Sequence, residues 1–319
     1  SVLSLVRRIE GAYTLTLLTE HELIGVRDPR GFRPLCLGKL GDAWILASEN
    51  TALELVDAEF IREIEPGEVA FINEKGVKSF HPFEGEKIKP AHCAFEHVYF
   101  ARPDSRIFGQ NVATVRERLG RYLAQEHPAK ADIVIAVPDS GNFAALGYSM
   151  ESGIALAHGF TRNHYIGRTF INPTQSVRTL KVKIKLNPIG EVVGGKRVVV
   201  VDDSIVRGNT SKSRVKLLRR AGAKEVHMRI SCPPHVSPCF YGIDFPSRTE
   251  LLASTHSMNQ IQEFLDVDSI GYLSQEGLLK AVSGDQANLK NNFCTACWTS
   301  IYPTPLYDEV DKYKLERKC

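Results

Sequence analysis

Two rhythms of apolar and polar residues run along this chain. Over roughly the first 80 residues the apolar runs are short and rich in β-forming types. Examples are Ala12-Tyr13-Thr14-Leu15-Thr16-Leu17-Leu18 and Ala43-Trp44-Ile45-Leu46-Ala47. Turn signals punctuate them at Asp28-Pro29-Arg30-Gly31 and Pro66-Gly67. The polar stretch Glu84-Gly85-Glu86-Lys87-Ile88-Lys89-Pro90 reads as a connector, so a domain boundary is expected near residue 88, dividing 1–88 from 89–319. Beyond it, Ile133-Val134-Ile135-Ala136-Val137 is a continuous apolar run, broken by Pro138-Asp139-Ser140-Gly141 and followed by a helix-like stretch to Gly153. Val198-Val199-Val200-Val201 repeats that order, with a polar loop and a helix ending at Ala221-Gly222; Val226, Met228 and Ile230 then alternate as the next strand. Buried apolar strands alternating with helices predict an α/β fold with a parallel sheet covered on both faces. Ligands in such sheets sit beyond the carboxyl ends of the strands, where both polar loops fall.

The window Arg197 to Ser211 carries the most chemistry. A valine strand delivers Asp202 and Asp203 side by side, and a loop of small and hydroxylated residues then opens into a helix. The loop amides, the hydroxyls of Ser204, Thr210 and Ser211, Asn209 beside them, and the helix N-terminus make a phosphate cradle. Gly208 lets the backbone approach an anion closely. The two carboxylates would repel a bare phosphate, but they can accept hydrogen bonds from sugar hydroxyls and help hold Mg2+, a cation that takes oxygen ligands. Together these describe a ribose-5-phosphate site; an isolated Asp-Asp pair would only cap a loop. Gly190-Glu191-Val192-Val193-Gly194-Gly195-Lys196 mimics a nucleotide-binding phosphate loop, but Arg197 stands where Ser or Thr is needed and a strand follows, so a turn is expected there.

Composition narrows the field only modestly. The 319 residues suffice for about two domains, and 43% hydrophobic with 24% charged is ordinary globular usage. A net charge of +3 is too weak to argue for a nucleic-acid partner. No run reaches the length of a membrane helix, and Ser1 to Arg8 lack a signal-peptide layout. The expected setting is soluble and cytoplasmic, with a plastid left open because any transit peptide would lie upstream. Seven cysteines in so long a chain make no disulfide scaffold, but Cys294-Thr295-Ala296-Cys297 has metal-ligand spacing.

The signature window resembles the phosphoribosylpyrophosphate (PRPP) motif of type I phosphoribosyltransferases. Other segments resemble one family among them, the glutamine PRPP amidotransferases: Tyr99 to Ser105, Val137 to Gly141, Asn163 to Ile171 and Cys239 to Asp244. Asp28 to Leu35 with Ala47-Ser48-Glu49 resembles the back half of that family's glutaminase domain. The resemblance runs from about residue 8 to residue 307, so 1–88 is expected to be part of a β-rich glutaminase domain of the N-terminal-nucleophile type and 89–319 the transferase domain with a C-terminal tail.

The resemblance implies formation of 5-phosphoribosylamine and pyrophosphate from PRPP and glutamine-derived ammonia, the first step of de novo purine biosynthesis. By it, Pro138, Asp139, Ser140 and Gly141 hold the pyrophosphate, and Ser140, Asp202 and Asp203 lie on Mg2+. The segment Arg162 to Ile171 is the loop closing over PRPP, and Arg168 with Arg178, Lys181, Lys183 and Lys185 is a candidate set for neutralising the pyrophosphate. It further implies purine nucleotides as feedback inhibitors and a homo-oligomer, dimer or tetramer. A subset of the family holds a [4Fe–4S] cluster, at positions that here are Cys93, Cys239, Cys294 and Cys297; by ligand count alone zinc suits four thiolates equally. Cys36, Cys232 and Cys319 match no ligand position and are expected to be free thiols. The family's nucleophilic N-terminal Cys has no counterpart here, Ser1 aligning inside the glutaminase domain, so this sequence is expected to be ammonia-dependent. A salvage phosphoribosyltransferase and a non-catalytic PRPP-sensing regulator are the alternatives; the first would lack the glutaminase remnant and the four cysteines, the second would carry a DNA-binding module.

Overall fold

The computed structural model describes residues 2–83, 88–162, 186–284 and 291–306. By compactness the chain forms two units: one made of 1–115, 237–246 and 282–319, the other of 116–236 and 247–281. Residue 88 lies inside the first of these. No helix among the described residues is long and apolar enough to cross a membrane.

The first unit is β-rich, as the short apolar runs predict. Strands β1 (Thr14–Leu18), β2 (Leu23–Arg27), β3 (Cys36–Leu40), β4 (Ala43–Ala47), β5 (Glu59–Glu63), β6 (Val69–Asn73) and β7 (Gly76–Phe80) form two antiparallel sheets, ordered β1-β2-β6-β7 and β4-β3-β5. Leu35, Leu37, Ile64, Ala70 and Ile72 make one core cluster, and Val6, Ile24, Val26 and Val69 another. The expected turn at Asp28 is present: Gly31 donates its N–H to the Asp28 carbonyl at 2.9 Å and has φ +57°. Arg27, 1% exposed, donates to the carbonyls of Gly31, Arg33 and Ile64 and so holds this turn from inside. Short strands β8 (His92–Cys93), β9 (Arg106–Ile107) and β10 (Gln110–Asn111) follow, with a π-helical turn over Glu96–Phe100 between β8 and β9.

The second unit holds the parallel sheet. Its strands are β11 (Ile133–Ala136), β12 (Leu156–Ala157), β15 (Arg197–Asp202), β16 (Glu225–Ile230) and β17 (Ser269–Tyr272), in spatial order β12-β11-β15-β16-β17; β13 (Phe160–Arg162) and β14 (Leu186–Pro188) pair separately as an antiparallel ribbon. Central β15 is buried from Val198 to Asp202, which is why it reads as an unbroken apolar run. The helix Asn142–Ser152 ends at Gly153 in the left-handed conformation, and the helix Asn209–Arg220 ends at Ala221 before Gly222, both where the sequence puts them. Gly190–Val193 is one helical turn, not a phosphate loop. The chain then re-enters the first unit, where β18 (Phe293–Cys294) pairs in parallel with β8.

The helices Val112–Glu126 and Asn142–Ser152 cross at two glycines. A Cβ on Gly120 would run into the backbone of Ala144, and one on Gly147 into the carbonyl of Glu117. The backbones meet with no side chain between them.

Candidate active site

Strand register assembles the site. Ala136 of β11 is level with Val201 of β15, and Val137 donates its N–H to the Val201 carbonyl at 2.9 Å. Because the strands are parallel, the loop Pro138–Gly141 and the loop Asp203–Gly208 leave the same edge of the sheet, each leading into a helix. The structure thus brings together Pro138, Asp139, Ser140 and Gly141 with Asp202, Asp203, Ser204, Gly208, Asn209, Thr210 and Ser211. Arg168, Arg178, Lys181, Lys183 and Lys185 lie outside the described residues.

Two glycines are required by space. A Cβ on Gly141 would stand 2.6 Å from the Val201 carbonyl oxygen and 2.9 Å from that of Val137, so no larger residue lets this loop lie against β15. Gly208 caps the helix Asn209–Arg220 with φ +77°, and a Cβ there would meet Leu252 at 2.7 Å and Phe264 at 3.0 Å. The first-turn amides of a helix lack intrahelical acceptors, which favours an anion at that end. Asn209 and Thr210 are exposed at that end, and Ser211 is buried.

The two carboxylates differ in their partners. Asp202 accepts the Asp203 N–H on Oδ1 at 3.1 Å and Arg214 Nη1–H on Oδ2 at 2.7 Å. Asp203 accepts the Ser204 hydroxyl on Oδ2 at 2.5 Å. Burial pushes the Asp202 carboxyl well above the usual carboxylate range, against the pull of the Arg214 guanidinium; the neighbouring Asp203 adds to the rise. Across the site Arg162, at the end of β13, forms an ion pair with Asp139. Arg214 and, as a partner of Asp139, Arg162 were missed by the sequence reading. Helical side chains tilt toward the helix N-terminus, so a cation one to two turns past the phosphate loop was the available signal for Arg214.

The four candidate cluster cysteines all fall in the first unit. Cys93 and Cys294 are paired in register on β8 and β18. Cys239 and Cys294 pack against the apolar cluster of Phe32, Ala91, Tyr241 and Ala296, and the Cys297 carbonyl accepts the Ser237 N–H at 3.1 Å, two residues before Cys239. All six described cysteines are unbridged. Burial pushes the Cys93 thiol up and Cys294 to about 11, while the Arg33 guanidinium pulls both down. Cys36 is buried and its thiol is pushed up to about 12; Cys232 is buried and donates to the Pro233 carbonyl. Cys319 lies outside the described residues.

No family model matches the chain. Among curated relatives, it is 46% identical over 313 residues to the amidophosphoribosyltransferase of Methanothermobacter thermautotrophicus, covering 98% of this chain and 65% of that protein. It is 49% identical over 300 residues to the chloroplastic amidophosphoribosyltransferase of Glycine max, covering 92% of this chain and 51% of that one. Among solved structures, glutamine PRPP amidotransferase from B. subtilis complexed with ADP and GMP matches with a TM-score of 0.90 and 46% identity, over 97% of this chain and 68% of that chain. The chain spans less than two thirds of the length of these curated relatives. Fold and sequence agree along nearly all of the chain, which belongs to the amidophosphoribosyltransferase family.

Proposed function

We propose that this chain transfers a phosphoribosyl group from PRPP to ammonia, as the transferase part of an enzyme that draws its ammonia from glutamine in purine biosynthesis. The carrying observation is the register of β11 on β15, which sets an acidic pair and a helix N-terminus beside a second backbone loop. The ammonia nitrogen forms a bond to C1 of the ribose, the C1–oxygen bond breaks, and pyrophosphate leaves with the electron pair; the nitrogen then loses a proton to solvent. The helix end at Gly208–Ser211 with Ser204 would hold the 5′-phosphate, and the amides of Pro138–Gly141 the pyrophosphate. Such a step needs leaving-group stabilisation and exclusion of water more than a nucleophilic side chain.

Mg2+ fits the donor chemistry here: carboxylate and hydroxyl oxygens at Asp202, Asp203 and Ser140. Among the described residues no three acidic, His or Cys side chains converge on a point to hold a metal ion alone. A Mg2+ ion in such a site would be held by one or two carboxylates together with substrate oxygens. When bound, it would neutralise charge on the departing pyrophosphate.

In this reading residues 1–88 are part of a glutaminase domain and the remainder the transferase. Every residue assigned to the transfer lies between 138 and 211, so the 319-residue polypeptide is expected to release pyrophosphate from PRPP with Mg2+ and ammonia. The rate should rise with pH as ammonium is deprotonated. Pyrophosphate release with free nucleobases and not with ammonia would replace this reading by a salvage phosphoribosyltransferase.

We also propose that Cys93, Cys239, Cys294 and Cys297 hold a [4Fe–4S] cluster. The in-register pairing of Cys93 with Cys294, and the packing of Cys239 and Cys294 against one apolar cluster, support this reading. Anaerobically purified protein should be brown, with about four irons and four sulfides per chain. Stoichiometric zinc without labile sulfide would make this a structural zinc site instead. The B. subtilis enzyme was solved with ADP and GMP, which supports purine nucleotides as feedback inhibitors here; a homo-oligomer, and the cytoplasm or a plastid as its place, complete the reading.

A further inference from the structure

The acidic pair is built as a chain of contacts beginning outside the ligand loop. Arg214 stands in the second turn of the helix Asn209–Arg220, and the tilt of helical side chains carries its guanidinium back to the end of β15. There Nη1–H meets Asp202 Oδ2 at 2.7 Å. The other oxygen of Asp202 accepts the Asp203 N–H at 3.1 Å, so the same carboxylate fixes the peptide from which the Asp203 side chain springs. Asp202 is 2% exposed and has both oxygens engaged within the protein. The guanidinium also offsets the repulsion between two carboxylates on adjacent residues.

We propose that Arg214 is a positioning residue for PRPP, clamping Asp202 and, through the Asp203 peptide that Asp202 holds, setting the acidic pair for the ribose and its cation. The inference rests on the phosphoribosyl-transfer reading and adds to the acidic pair a cation supplied by the following helix. A clamp of this kind acts on binding through Asp202. A mere staple between helix and strand would affect stability and leave PRPP affinity alone.

Calorimetric titration of the protein with PRPP in the presence of Mg2+ separates the two. Arg214→Met is expected to weaken PRPP binding about tenfold, within the range for partners that orient a binding group. Arg214→Lys should recover most of that loss, and in an Asp202→Asn background Arg214→Met should add almost nothing. Should Arg214→Met fail to fold, Arg214→Gln keeps an N–H donor and much of the stem without the charge, and is expected to weaken binding too. Wild-type affinity in Arg214→Met or Arg214→Gln, or an equal loss with and without Asp202, would overturn the proposal. Wild-type protein that neither binds PRPP nor releases pyrophosphate overturns the transfer reading itself.

Discussion

Replacing Gly147 by alanine is expected to destabilise the second unit by about 3 kcal/mol or more, the upper end of overpacking costs. Helix propensity alone argues the other way, since alanine in a helix interior is favoured over glycine by about 1 kcal/mol. Space decides the sign. The new methyl group would fall inside the van der Waals shell of the Glu117 carbonyl oxygen, and that oxygen belongs to a helix backbone that cannot swing aside. The reciprocal contact of Gly120 with Ala144 leaves no slack on the other helix either. Gly190→Ala is the control, because nothing lies within 4 Å of a Cβ there. Urea unfolding should show a large drop in midpoint for Gly147→Ala and little change for Gly190→Ala. A Gly147→Ala protein as stable as wild type would mean that the helices do not cross this closely.

The second large effect is on turnover. Asp203→Asn is expected to lower pyrophosphate release from PRPP with ammonia by about 100-fold, as the loss of a charge-assisted hydrogen bond worth roughly 2–3 kcal/mol requires. Asp202→Asn should lower it severely as well, by leaving Arg214 without its carboxylate. Asp203→Asn preserves size and one oxygen acceptor, so a near-wild-type melting temperature is expected. Asp202→Asn loses one of two accepted hydrogen bonds and its ion pair, so its melting temperature should fall. Near-normal turnover in both variants would remove the acidic pair from the site, and with it the assignment of the cradle that follows.

How far the sequence discloses this arrangement depends on the kind of pattern. Strand β15 and the helices ending at Gly153 and Gly222 were legible because continuous burial and left-handed helix ends leave marks on residue type. The juxtaposition of Pro138–Gly141 with Asp202–Ser211 was legible through the resemblance and the rule that ligand loops leave the carboxyl edge of parallel strands. Arg214 was not, because an arginine on an amphipathic helix reads as a solvated cation until the fold shows what lies beside it. Nor did sequence show why Gly120 and Gly147 are glycines. Interior helical glycines look like weak points in propensity, and only a neighbouring backbone turns them into necessities. The compact units were hidden for a related reason: residues 237–246 and 282–306 join the first unit through contacts distant in sequence.

The pairing of β8 with β18 has a consequence for the order in which the protein is made. His92 and Phe293 are partners across roughly 200 residues, a long loop to close by chance encounter. On the ribosome, every strand of the parallel sheet, through Tyr272, is synthesised before Phe293 and Cys294 exist. The described strands of the parallel sheet therefore exist while β8 still waits for β18. Strand β8 is made before the interrupting unit, and its pairing with β18 can form only after that unit has been made.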